Sequence, residues 1–135
     1  MSYVSIRNAL VSKLQELQPA DLVAVYNHIP KELKDYPCAT VRNIGHKNIP
    51  NDTAANRRQF SFLITLFYRT DVAQDAETIL SDIADKVITK LESDVTLNAT
   101  CDFTTATEGR WDYLEREIPL RFCEMTITAV KRVNR

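Results

Sequence analysis

The side chains with chemistry to offer are few and scattered. The two histidines, His28 and His46, flank one predicted strand, and neither has a carboxylate at metal-ligand or triad spacing. They read as surface histidines. The three cysteines, Cys38, Cys101 and Cys123, are odd in number and far apart, with no CxxC pair and no Cys/His cluster. That pattern points to neither a zinc site nor a disulfide framework, and they read as small apolar residues buried in strands. Asp71, Asp75, Glu77, Asp82 and Asp85 gather in one helical stretch, where Asp75, Asp82 and Asp85 share part of a face. Oxygen ligands so placed could hold a divalent cation. A solvated face whose acidic start complements the helix dipole explains the same residues more simply. There are only two glycines, Gly45 and Gly109, which leaves no phosphate-cradling loop and marks two expected turns. The expectation is a protein that is not an enzyme and that uses no cofactor and no metal.

Two basic groups stand out. Arg57, Arg58 and Arg69 bracket one predicted strand, and Lys131, Arg132 and Arg135 close the chain. A nucleic-acid surface would combine such residues with exposed aromatics, whereas the aromatics here alternate inside strands and read as core. Cations at the rim of a subunit boundary fit better. Trp111, in EGRWDYLERE, follows the expected turn at Gly109. It either caps the core at a sheet edge or anchors an interface, since Trp and Arg are common hot-spot types.

The elements that must carry these residues follow from the patterning. A chain of 135 residues, 44% hydrophobic and 26% charged, is the size of a single domain with a real core, here read as 1–135. Its formal charge of −1 gives no general attraction to nucleic acid or anionic lipid. No apolar run is long enough to span a bilayer, and the amphipathic start MSYVSIRNALVSKLQEL lacks the apolar segment of a signal peptide. A cytoplasmic site of synthesis and residence is expected.

Ile6, Leu10, Leu14 and Leu17 predict a first helix over Ser2 to Leu17, stopped before Pro19. Leu22 to His28 and Cys38 to Ile44 predict two strands, with a polar connection between them. Gly45 to Arg57 is polar, holds Gly, Pro and Asn, and shows no period, so it reads as a long loop. RQFSFLITLFYRT then alternates strictly. Phe60, Phe62, Ile64, Leu66 and Tyr68 share one face, and Leu63, Thr65 and Phe67 the other. Two partly apolar faces predict an interior strand, or a strand whose second face meets a partner. The face with Leu63 and Phe67 is expected either under the first helix or at a subunit boundary. Ala76, Ile79, Leu80, Ile83, Val87 and Leu91 form the stripe of a second helix starting at Asp71 or Asp75. Ala99 to Thr107 predicts a strand, Glu108–Gly109 a turn, and Tyr113 to Val133 a final strand-rich stretch. Within that stretch a parity change between Phe122 and Cys123, near Pro119, calls for a bulge or bend. The fold class is α+β: a mixed, mainly antiparallel sheet of about four to six strands flanked by two main helices, in the order α-β-β-β-α-β-β.

That layout resembles a known family. A short amphipathic helix, a strand pair, a polar stretch, a strand of the RRQFSFLITLFYRT type and a helix of the DAETILSDIADKVITKL type follow one another. EGRWDYLER then leads into a long basic-ended strand. The order and lengths resemble the tail terminator (tail completion) proteins of long-tailed bacteriophages, over nearly the whole chain. The resemblance implies a homo-hexameric ring that caps the tail tube, ends its polymerisation and presents a surface for head joining. Its implied partners are other copies of itself, the tail tube protein and the head connector, with no sequence-specific nucleic-acid contact and no membrane. It implies assembly in the host cytoplasm and residence at the head-proximal end of the virion tail. By element, it implies subunit or tube contacts at His46, Lys47, Asn51, Asp52 and Arg57, and at Arg58 and Arg69. It implies further contacts at Arg110, Trp111, Lys131 and Arg132. Another head–tail connector or neck protein, or a small ligand-binding module of a host, is the alternative reading.

Overall fold

The structure, a computed structural model, describes residues 2–18, 20–31, 35–50, 55–69, 73–97, 99–114 and 120–134. Helix α1 (Ser2–Gln15) is followed by the short strand β1 (Ala24–Tyr26) and two long strands, β2 (Cys38–Pro50) and β3 (Ala55–Arg69). Helix α2 (Ala73–Glu92) leads to β4 (Phe103–Leu114) and β5 (Leu120–Asn134). The five strands form one sheet in the order β1-β2-β3-β5-β4. Only the β1–β2 pairing is parallel; β2–β3, β3–β5 and β5–β4 are antiparallel. The expected α+β class and element order are therefore present, and β3 occupies the middle of the sheet.

Both helices cover the same side. The alternation of β3 sends Phe60, Phe62, Ile64 and Leu66 into the core, where they join Ala39, Val41, Cys123, Met125 and Ile127 from the flanking strands. Ile6, Leu10 and Leu14 of α1 and Leu80, Ile83, Val87 and Leu91 of α2 complete that cluster. Each helix thus places its apolar stripe on the sheet and the two touch each other. Tyr3 secures the start of α1, with its ring edge-on to Phe60 and Phe62 at centroid distances of 4.8 and 6.0 Å. The side chain of Ala76, expected in the α2 stripe, lies outside the described residues.

The second face of β3 carries no helix among the described residues. Phe67 sits opposite Phe122, their rings 6.2 Å apart, and Leu63 sits opposite Thr126. Leu63, Phe67 and Phe122 are half-buried and stand apart from the core cluster. Of the two expectations for this face, burial under α1 is excluded, because α1 lies on the other side.

Three expectations are corrected. The stretch Gly45 to Arg57 is not a long loop: β2 runs through Gly45 to Pro50 and pairs with β3 back to Asn56. Only 51–54 separate the two strands, and they lie outside the described residues. Glu108–Gly109 is not a turn but part of β4, which pairs with β5 without interruption of the strand. Neither glycine adopts a positive φ, and an added Cβ would meet nothing closer than 3.9 Å at Gly109 and nothing within 4 Å at Gly45. Both are extended strand residues, which is why their turn reading failed. The predicted irregularity near Phe122 is absent too. β5 pairs with β3 in unbroken register from Leu120 to Asn134. The parity change arises because β5 has apolar residues on both faces: Leu120 and Phe122 stand opposite Arg69 and Phe67 on the side without a helix, and Cys123, Met125, Ile127 and Ala129 face the core; Ile118 and Pro119 lie outside the described residues. The register shifts sit elsewhere, between Asn43 and Gly45 in β2 and between Ala106 and Glu108 in β4.

Candidate assembly interface

The strand register sorts the candidate residues into two groups. At one end of the sheet, Arg57 of β3 stands between Ile49 of β2 and Arg132 of β5. The next position places Arg58 between Asn48 and Lys131. Two basic dipeptides from distant parts of the chain thus form a block of four cations on adjacent strands. Lys47 joins them two positions along, opposite Gln59. Directly opposed like charges destabilise a sheet, and part of that cost is offset locally. Arg58 Nε donates to Asn48 Oδ1 at 2.6 Å, and its guanidinium lies 5.9 Å from the Phe60 ring centre. The Arg132 backbone N–H donates to Asp102 Oδ2 at 3.0 Å.

His46 belongs to the same end but faces the helices. It stands opposite Phe60, and its Nδ1 is 2.9 Å from the Tyr3 hydroxyl, the two rings meeting edge-on. It therefore ties α1 to β2 and is a structural contact as much as a surface group. Burial pushes the Tyr3 hydroxyl pKa upward, against the opposing pull of Arg58. Asn51 and Asp52 lie outside the described residues.

Arg69, Arg110 and Trp111 are not part of this cluster. Arg69 ends β3 at the far side of the sheet, opposite Leu120. Arg110 lies on β4 opposite Glu124, with Nη2 3.4 Å from Asp112 Oδ2. Trp111 is opposite Cys123 and 46% exposed. It lines a hollow of about 320 Å³ with Glu77, Leu80, Asp112 and Arg121. It thus lies at the sheet edge, with roughly half its surface still open.

No arrangement for covalent or metal chemistry is assembled among the described residues. The three thiols are buried and unlinked. Burial, reinforced by Asp35, pushes Cys38 up to about 12, and burial with Glu124 pushes Cys123 up to about 11. Such thiols stay protonated and are poor nucleophiles. No group of three or more His, Cys, Asp or Glu suited to a metal ion occurs among the described residues. Asp82 and Asp85 are exposed on α2 as a solvated helix face. The Lys86 ammonium on the same helix reaches Asp21 Oδ1 at 2.5 Å, linking α2 to the turn after α1. A groove of about 320 Å³ runs beside Leu17 and the outer side of α2 and is open to solvent. No helix of the described residues is long and apolar enough to cross a membrane.

The strand edges are what sequence reasoning missed. β1 covers only Cys38 to Thr40 of β2, so the outer edge of β2 from Val41 onward has no partner strand among the described residues. β4 is the other edge strand, and its outer side is likewise unpaired over Phe103–Leu114. The signal was hidden in the polar stretch after Ile44, which carries no apolar period because its contact with α1 is made by the polar His46.

No protein-family model and no curated protein matches the chain. Among solved structures, the chain is similar to a chain from the virion of a native gene transfer agent particle. The two share 14% sequence identity with a TM-score of 0.45, over 96% of this chain and 94% of that one.

Proposed function

We propose that this protein is a structural component of a phage virion. In this reading it forms a ring on the end of the tail tube, ends tube polymerisation and offers the surface to which the head joins. The observation that carries the reading is the one-sided helix layer. Two helices on one face leave Leu63, Phe67 and Phe122 half-buried on the other, and both lateral edges of the sheet lack partner strands among the described residues. A subunit with this much unmatched sheet is suited to assembly. Arg57 with Arg132 on the side without a helix, and Arg58 with Lys131 on the helix side, make that end of the sheet a basic rim suited to an acidic partner. The order of elements is the one expected from the resemblance to tail terminators, with the polar stretch realised as a long hairpin.

The test is direct. Light scattering after size exclusion, with and without divalent cation, is expected to give a ring-sized oligomer, and negative-stain images a six-fold ring. Added to polymerising tail tube protein, the chain is expected to shorten the tubes and bind their ends. Monomer alone at high concentration under every condition would remove the ring. Binding to a portal-side adaptor but not to the tube would move the protein to the neck of the particle.

A further inference from the structure

The two free edges of the sheet are matched to each other. β2 runs antiparallel to β3, β3 to β5 and β5 to β4, so β4 and β2 run in opposite senses. A second copy placed beside β4 in the same orientation would therefore continue the antiparallel alternation. Reading the register straight across the sheet, Lys47, Gln59, Val130 and Phe103 share one level, and Arg42, Leu63, Thr126 and Glu108 another.

Bulges normally spoil an edge for pairing, and both edges carry one. Here they compensate. Between those two levels β2 has one residue more than β3, and β4 has one residue more than β5. The extra residues fall at nearly the same height, so the two outer edges keep step with each other residue for residue. Both edge strands also bend there, which preserves their fit. The charges complement as well. Within the stretch that would pair, the β2 edge presents Arg42 and Lys47 and the β4 edge presents Glu108. Ile44, 51% exposed, falls level with Ala106 and gains an apolar neighbour in such a pairing.

We propose that the free edge of β2 in one copy pairs antiparallel with the free edge of β4 in the next. Val41 to Lys47 lies against Phe103 to Gly109, with Arg42 and Glu108 opposed across the junction. The contact is heterologous: each copy uses one edge to give and the other to receive, which forms a ring where the rotation between copies closes. β1 sets its length, since it occupies β2 at Cys38 to Thr40 and stops the pairing before Thr40. This assignment rests on the ring reading and specifies which surfaces close the ring.

Two sets of variants test it in the full chain. Both positions are exposed, so folding is expected to survive substitution. Glu108→Arg is expected to raise the concentration needed for half-assembly by about tenfold or more, because it opposes like charges at each junction. Adding Arg42→Glu is expected to restore assembly. In the second set, Arg42→Cys with Glu108→Cys is expected to give a ladder of covalent multimers on oxidation, since opposed strand positions bring Cβ atoms within disulfide reach. Rings that form normally, resist the charge swap and give no ladder would overturn the edge pairing while leaving the ring intact. A chain that never self-associates would overturn both.

Discussion

Arg57 and Arg132 stand directly opposite each other on β3 and β5, and Arg58 and Lys131 do the same one position along. In an isolated subunit that is an unfavourable arrangement. Opposed like charges on a sheet cost roughly 0.2–1 kcal/mol per pair. The predicted outcome of Arg57→Glu is therefore a more stable monomer, by about 0.5 kcal/mol in urea denaturation. The same change is expected to weaken binding to an acidic partner and to flatten the salt dependence of that binding. A loss of monomer stability would show that the block is already neutralised within the chain.

The two faces of β3 are predicted to respond differently to truncation. Phe62 is completely buried beneath the helices, and Phe62→Ala is expected to cost about 3–5 kcal/mol. Phe67 lies on the face without a helix and is half-buried, so Phe67→Ala is expected to cost the monomer clearly less. If that face meets a neighbour, Phe67→Ala instead lowers the fraction assembled. Denaturation midpoints and assembled mass, measured on both variants, separate the two effects.

The buried thiols predict an alkaline weakness. Folding raises Cys38 from 9.0 to about 12 and Cys123 to about 11, chiefly through burial. Above pH 9 the unfolded chain releases protons that the folded chain retains, so the unfolded state gains. The stability tied to the protonated thiols is complete below pH 9 and is lost as pH climbs toward 11 and 12. The urea midpoint is expected to fall between pH 8 and pH 10.5, and to fall less in Cys38→Ala. Equal falls in the two proteins would refute the role given to Cys38.

Trp111 is the only tryptophan and lies on the β4 edge, 46% exposed. In the proposed edge pairing it falls just past the paired stretch, level with Ala39 of the neighbouring copy. Its emission is expected to shift to the blue and its quenching by acrylamide to drop when the protein assembles. Both changes are expected to disappear in Glu108→Arg at the same concentration. Unaltered emission across a demonstrated assembly transition would argue against this edge as the junction.

The core was readable from the amino acids, while its borders were not. Phe60, Phe62, Ile64 and Leu66 alternate because β3 lies beneath helices, and Leu80, Ile83, Val87 and Leu91 recur at helical spacing for the same reason. Beyond Ile44 the start of α1 reaches β2 through Tyr3 and the polar His46, so that stretch has no apolar alternation and the strand period vanishes from the sequence. Backbone pairing with β3 holds that stretch extended all the same, and pairing is invisible to side-chain pattern. The basic block was half legible. Its members were named, but their meeting depends on register, which brings together segments that no local rule connects. Gly109 misled because glycine permits a turn without requiring one.

One consequence follows from having both helices on a single side. A closed band of such sheets has a wide skin and a narrow skin, and the longer circumference belongs to the outside. In the proposed ring the bulky helical layer would take the outer wall, and the side of β3 and β5 that carries no helix would turn toward the bore. That side carries the partly exposed Thr126 and Thr128, with the Phe67–Phe122 pair toward one end and Arg57 with Arg132 at the other. A passage built this way would be lined by hydroxyls along its middle and ringed by positive charge at a single opening, giving whatever moves through it a direction.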